Sequence, residues 1–210
     1  ELQYFTNISI VNDYAFRKTT NLTIGILPPS VTDIYVGAFQ NSGIQALNPR
    51  LPYHPVDYTK GASNVTASNV SRYAFAGSNL TSVTFGSNTT TVGASAFEGC
   101  LYIRNVYGED SGWISVQNNT FKNCSMLKSI YLPSTVTMLL SNVVDGCSAL
   151  EAIYCYATTP PSVTTSTFAH MASNVTLYVP YESLSVYKNS NWRNYFSNIL
   201  PIDAPQTYAC

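Results

Sequence analysis

One feature constrains this chain more than any other: the same short phrase returns along it at a nearly fixed interval. Taking the Phe of each Ala-Phe-like dipeptide as an anchor gives Phe16, Phe39, Phe75, Phe97, Phe121 and Phe168, with Val144 standing in one register position. Successive anchors are 23, 36, 22, 24, 23 and 24 residues apart. Five residues before every anchor sits a branched aliphatic: Val11, Ile34, Val70, Val92, Val116, Leu139 and Val163. Unrelated strands have no reason to keep one period, so each interval is one structural unit of a stacked repeat. The single long interval reads as one unit carrying about 13 inserted residues, which repeat loops tolerate.

A third signature follows the anchors. Leu127-Lys128-Ser129-Ile130-Tyr131-Leu132 reads L-x-x-I-x-L, and equivalents begin at Leu80, Ile103 and Leu150. Their last apolar positions alternate with polar residues or Tyr, the period-two pattern of a strand. Pro ends several of them, as in Leu27-Pro28, Leu132-Pro133 and Val179-Pro180, because Pro cannot donate to a ladder. One unit cannot bury its own apolar side, so the units stack around a continuous core. The expected fold is a right-handed leucine-rich-repeat solenoid of about seven passes. It is β-rich, with a parallel sheet on one face, short strands and turns opposite, and at most a 3₁₀ turn after the anchor.

These residues resemble a known family. The run Phe121-Lys122-Asn123-Cys124 through Leu132-Pro133-Ser134-Thr135-Val136 is similar to the BspA-like leucine-rich repeats. Leu177-Tyr178-Val179-Pro180, then Tyr187, Trp192, Phe196 and Ile199, resembles the C-terminal cap of bacterial members. The likeness covers about residues 5–202 and is weaker before Val70, where Gly25 occupies an Ile position. The resemblance implies an exported, surface-displayed protein of a host-associated microbe, with a role in adhesion. Fold alone does not fix function.

The units divide as residues 1–180 for the solenoid with an insertion at 49–69, 181–202 for a small helical cap, and 203–210 for a frayed tail. In the cap, two short helices at 181–189 and 191–197 turn Leu184, Tyr187, Trp192 and Phe196 inward. The insertion holds Pro49, Pro52, His54, Pro55, Tyr58 and Lys60; it reads as a neutral surface loop or as a functional one. The chain begins without Met, so any export signal or further repeat would lie upstream of Glu1.

Composition narrows the functional classes. Only 10% of the 210 residues are charged and the formal net charge is −1. No basic stripe exists to drive binding to phosphate backbones, so nucleic acid is not an expected partner. No apolar run approaches the ~20 residues of a membrane span. The two histidines, His54 and His170, are far apart, and no His/Cys/carboxylate group has ligand spacing, so no metal or cofactor is expected. Glu109 and Asp110 read as a solvated turn rather than an acid/base pair, and Ser125-x-x-Lys128 as a chance match. The chain is expected not to be an enzyme. The Asn-x-Ser/Thr triplets, as at Asn79 and Asn174, matter only in a eukaryotic secretory pathway.

Two columns stand out in the repeat register. Tyr107, Tyr131, Tyr154 and Tyr178 are 24, 23 and 24 residues apart, each at the outward position after the Ile site. On parallel strands about 4.8 Å apart they form one stripe, with Arg104, Lys128 and Glu151 as a polar rim. Such a stripe suits binding of a host extracellular protein or glycan, and equally suits sheet stabilisation by stacked rings. Cys100, Cys124 and Cys147 each follow an anchor by three residues. They read as buried free thiols rather than disulfides, and Cys155 points into the core. Cys210 lies in the exposed tail and would be the one thiol able to join chains, although a monomer is expected. The leading expectation is a secreted or cell-surface recognition and adhesion module. The alternatives are a structural spacer that displays another domain and a carbohydrate-active accessory module, the latter requiring two acidic residues about 5–9.5 Å apart.

Overall fold

A computed structural model of the protein describes residues 7–48 and 64–202. Expectations placed on 1–6, 49–63 and 203–210, including those for His54 and Cys210, lie outside the described residues. Each repeat contributes one strand before its anchor and one after it. The strands before the anchors are β1 (Ile10–Val11), β3 (Asp33–Ile34), β6 (Asn69–Val70), β8 (Thr91–Val92), β10 (Ser115–Val116), β12 (Met138–Leu139) and β14 (Ser162–Val163). Those after the anchors are β2 (Ile24–Gly25), β4 (Ala46–Leu47), β7 (Ser82–Phe85), β9 (Asn105–Tyr107), β11 (Ser129–Leu132), β13 (Ala152–Cys155) and β15 (Thr176–Val179). β5 (Asn64–Val65) and β16 (Asn198–Pro201) complete the set.

All pairings are parallel. One wall is a seven-stranded sheet in the order β16-β15-β13-β11-β9-β7-β5, and β2 pairs with β4. The opposite wall holds the short strands and turns expected of it, and its two-residue strands pair into sheets of their own, β1-β3-β6-β8 and β10-β12-β14. The register joins the aliphatics found by spacing: Val11 to Ile34 to Val70 to Val92, then Val116 to Leu139 to Val163. Ile34 pairs directly with Val70, so the solenoid keeps its register across the long interval.

The insertion leaves and re-enters within one level of the long sheet. Its last residues, from Asn64, already belong to the solenoid, since β5 pairs with β7. Two asparagines clasp its ends. Asn48 Nδ2 donates to the Asn64 carbonyl at 3.2 Å, and Asn64 Nδ2 donates to the Asn48 carbonyl at 3.1 Å. Asn48 Oδ1 also accepts from the Leu27 amide at 2.6 Å, tying the clasp to the neighbouring turn.

The anchors line the interior corner between the two walls. Phe16, Phe39, Phe75, Phe97 and Phe121 stack consecutively, with ring centroids 5.1, 5.2, 5.3 and 5.7 Å apart. From Phe16 to Phe121 each anchor amide donates to the carbonyl just before the next anchor, as Phe39 to Ala74 at 2.7 Å and Phe75 to Ala96 at 2.8 Å. The corner is not a 3₁₀ turn. The residue two after each anchor (Lys18, Asn41, Gly77, Gly99, Asn123, Gly146 and His170) has a positive φ, and so do most residues two before it. At every anchor but Phe168, two left-handed residues bracket it and reverse the chain tightly, which explains the recurrence of Gly and Asn after the anchors. At Gly37 the requirement is also steric: an added Cβ would meet the Tyr14 ring at 2.6 Å.

The cysteine column completes that corner. The anchor carbonyl accepts the amide three residues on and has a second lone pair to fill. Cys100, Cys124 and Cys147 each donate their thiol to the carbonyl of the preceding turn's anchor: Phe75 at 3.0 Å, Phe97 at 3.1 Å and Phe121 at 3.1 Å. All three are free and buried, as is Cys155, which contacts the Tyr187 hydroxyl at 3.2 Å. Burial away from water pushes the thiols up, Cys100 to about 11, Cys147 to about 12, and Cys124 well above its ordinary range.

After Pro180 the chain forms a 3₁₀ turn (Tyr181–Ser183), helix α1 (Leu184–Lys188) and a second 3₁₀ turn (Asn191–Asn194). Tyr187, Trp192 and Phe196 are buried and Leu184 is half-buried. Trp192 Nε1 donates to the Pro161 carbonyl at 2.8 Å, and the Tyr187 hydroxyl donates to Ala157 at 2.8 Å. The chain then returns to the long sheet: β16 pairs with β15 and sets Ile199 beside Leu177. The apolar period had ended at Pro180, so this added strand was not anticipated.

Two predictions follow from the corner. Replacing Phe97 by Ala removes a ring that stacks on Phe75 and Phe121 and meets Phe85 edge-on. The expected cost is about 3–5 kcal/mol, read as a lower urea midpoint at unchanged slope. For the thiols, the unfolded chain releases its protons at about pH 8.5 while the folded chain holds them until a higher pH. Stability is therefore fully present below about pH 8.5 and falls between there and pH 11 by about 1.4 kcal/mol per unit per buried thiol. Cys100→Ala, Cys124→Ala and Cys147→Ala together should flatten that alkaline slope in urea titrations.

Candidate functional site

The outward side of the long sheet is the candidate surface. Along β9, β11, β13 and β15 the inward positions are apolar and buried, so the alternating residues face solvent. The ladder pairs Tyr107 with Tyr131, Tyr131 with Tyr154 and Tyr154 with Tyr178. Their ring centroids are 5.1, 4.4 and 4.6 Å apart, at interplanar angles of 26°, 1° and 10°. All four are half-buried, because each ring covers the face of the next. The column continues to Thr84 on β7 at one end and to Leu200 on β16 at the other.

The hydroxyl row has its own electrostatics. Burial among its neighbours, together with Tyr131 and Tyr178, raises the Tyr154 phenol above its ordinary value. Tyr131 contributes a side-chain hydrogen bond and Tyr156 lies close enough to contribute as well. The Tyr154 phenol thus holds its proton to higher pH than an ordinary tyrosine.

Arg104, Lys128 and Glu151 immediately precede the strands that carry Tyr107, Tyr131 and Tyr154, three residues before each tyrosine. They stand on consecutive turns: the Lys128 amide donates to the Arg104 carbonyl at 2.7 Å, and the Glu151 amide to the Lys128 carbonyl at 2.9 Å. All three are exposed. Lys128 Nζ meets Glu151 Oε1 at 3.1 Å, an exposed pair of small energetic weight. Between this rim and the rings runs a polar column in which Ser129 Oγ donates to Asn105 Oδ1 at 2.8 Å. The face is therefore a flat aromatic stripe edged by amides, hydroxyls and compensating charges.

The remaining candidates are dispersed. Lys122, Asp145 and His170 form a small network at the anchor corner, Asp145 lying 3.2 Å from Lys122 Nζ and 2.9 Å from His170 Nδ1. The His170 hydrogen bond, with Lys122, lowers the Asp145 carboxyl. Glu109 and Asp110 lie beyond β9, at the turn that follows it. Among the described residues no group of three His, Cys, Asp or Glu is placed to hold a metal ion. No described helix is long and apolar enough to cross a membrane. The spacing had not pointed to Tyr156 or to Leu200. Tyr156 sits two residues beyond Tyr154, where alternation alone could have placed it on the same side. Leu200 follows a break in the period and left no such signal.

Among solved structures, a leucine-rich repeat protein from Bacteroides ovatus ATCC 8483 superposes with a TM-score of 0.59 at 18% identity, covering 93% of this chain and 50% of that one. A leucine rich cell surface protein from Faecalibacterium prausnitzii A2-165 gives 0.43 at 19% identity, covering 94% of this chain and 58% of that one. The pneumococcal vaccine antigen PcpA gives 0.47 at 17% identity, covering 90% and 58%. This chain thus spans between 50% and 58% of the length of these structures. No curated protein matches it significantly in sequence. The family model for the BspA type leucine rich repeat region matches in six copies, over residues 1–51 and 61–195. That match spans most of the sequence, and the chain therefore belongs to the BspA-type leucine-rich repeat family.

Proposed function

We propose that this solenoid is a non-catalytic recognition module, secreted or displayed at a cell surface, that binds a host extracellular protein or glycan through the tyrosine face of its long sheet. The observation that carries the reading is the continuous ladder Tyr107-Tyr131-Tyr154-Tyr178 on rigid, in-register strands. Tyr offers a large amphipathic contact at low entropic cost, and a sheet holds it in place before the partner arrives. Arg104, Lys128 and Glu151 supply a polar rim of both signs, which sets orientation more than affinity.

The stacking also favours one partner class. Ring faces along the ladder are covered by neighbouring rings, and the column is flanked in register by Thr84 and Leu200. A sugar ring stacks on an aromatic face, whereas a polypeptide can use ring edges and hydroxyls. The geometry therefore favours a protein partner over a glycan. The placement outside the cell rests on the family resemblance.

The test compares the wild type with a variant carrying Tyr107→Ser, Tyr131→Ser, Tyr154→Ser and Tyr178→Ser. Both are screened on an array of extracellular-matrix proteins and glycans, with circular dichroism to verify the fold. The expected outcome is wild-type binding that weakens at least about tenfold, or 1.4 kcal/mol, in a folded variant. Equal binding by the two would move recognition away from the stripe, and no binding by either would favour a solenoid that serves as a spacer.

A further inference from the structure

The ladder brings phenols into contact in a way that has a chemical consequence independent of any partner. Tyr131 and Tyr154 stack with centroids 4.4 Å apart and planes 1° from parallel, the tightest and flattest of the three pairs. Adjacent strands hold them in direct register. Parallel stacking brings the ring carbons ortho to one hydroxyl close to those ortho to the other. We propose that Tyr131 and Tyr154 form an oxidative cross-linking site, at which a one-electron oxidant of the haem-peroxidase and hydrogen-peroxide class closes a dityrosine bond between neighbouring turns.

Each phenol gives one electron to the oxidant and one proton to solvent, leaving two phenoxyl radicals in contact. Their ortho carbons form the new carbon–carbon bond. The hydrogens on those two carbons then shift to the oxygens, which restores both aromatic rings and both hydroxyls. Two phenols have lost two electrons and two protons, and one hydrogen peroxide has become two waters. The product is the mass of two hydrogen atoms lighter than the starting chain.

The register decides the outcome over exposure. Tyr14, Tyr73, Tyr102 and Tyr181 are each at least 40% exposed, whereas the ladder tyrosines are half-buried. If access to the oxidant governed coupling, those four would react first and would join separate chains. Pre-stacked rings instead hold a coupling partner in contact at an effective concentration no second molecule reaches. A bond between Tyr131 and Tyr154 would also leave Tyr107 and Tyr178 each beside a ring already used, so one cross-link per chain is expected to predominate. The link would staple β11 to β13 on their outer side and constrain the unfolded chain, as any cross-link does.

The experiment treats the whole chain at micromolar concentration with a haem peroxidase and limiting hydrogen peroxide. It reads dityrosine fluorescence, oligomeric state and intact mass, then maps the bond after cleavage at Lys128 and Glu151, which separates Tyr131 from Tyr154. The expected result is a fluorescent monomer lighter by two hydrogens, linked between Tyr131 and Tyr154, with a raised Tm. Tyr154→Phe keeps a ring in the stack but removes the phenol, so the folded variant should lose that product. Tyr107→Phe with Tyr178→Phe should leave it unchanged. A product that is mainly oligomeric, or an intrachain bond at other tyrosines, or a yield that persists in Tyr154→Phe, would overturn the proposal.

Discussion

Every property of this molecule depends on the in-register parallel ladder between successive turns. A parallel ladder repeats about every 4.8 Å and sets each residue directly over its equivalent in the turn below. A position in the repeat is therefore a column in space, and a preference at one position becomes a row of like side chains. The ladder runs through the strands and also through the corner, where anchor amides bond from turn to turn. The level that holds the insertion shows how strongly this is enforced. The excess chain leaves at Asn48 and returns at Asn64, the two side chains bond each other's backbone, and Ile34 still pairs with Val70.

Inward columns are selected by packing and outward ones are not, which is why the sequence was legible to different depths. The aliphatic and Phe columns were readable because burial demands apolar residues at each turn, and spacing alone recovered all fourteen positions. The left-handed residues bracketing the anchors were missed although a signal existed. Asn41, Gly77, Gly99, Asn123 and Gly146 all sit two residues after an anchor, and Gly and Asn are the residues that tolerate positive φ. Lys18 and His170 adopt the same conformation without belonging to that set, so composition dilutes the signal at both ends of the solenoid. The buried thiols were expected as small fillers. Their hydrogen bonds to the anchor carbonyls of the preceding turn needed coordinates, because the acceptor is 25–27 residues away.

The C-terminal end shows the limit of periodicity from the other side. Tyr187, Trp192 and Phe196 close the core with a packing arrangement of their own: Phe168 meets Trp192 and Phe196 edge-on, and Tyr187 meets Trp192 in the same way. No column rule applies there, so the aromatic residues were legible as buried and their geometry was not. β16 then resumes the sheet without the L-x-x-I-x-L phrase, its register set by the turn geometry that delivers Asn198 beside Thr176. One consequence reaches the candidate surface, since Leu200 extends the outward tyrosine column by one level.

The outward column raises a different question, because solvent imposes no packing demand on it. Four aromatic residues in a row need a cause, and ring stacking provides one at roughly 0.2–1 kcal/mol per pair. Across three pairs that is a sizeable part of a domain stability of about 5–15 kcal/mol. Stacking, however, asks only for rings, and Phe would stack as well as Tyr. What the ladder has beyond stacking is a line of hydroxyls, with the Tyr154 phenol held neutral among its neighbours. A row of bare rings would make an exposed apolar patch prone to association. Hydroxylated rings keep that outward face hydrated. The aromatic bodies are explained by the ladder that carries them; the hydroxyls are explained by the solvent that the outward face meets.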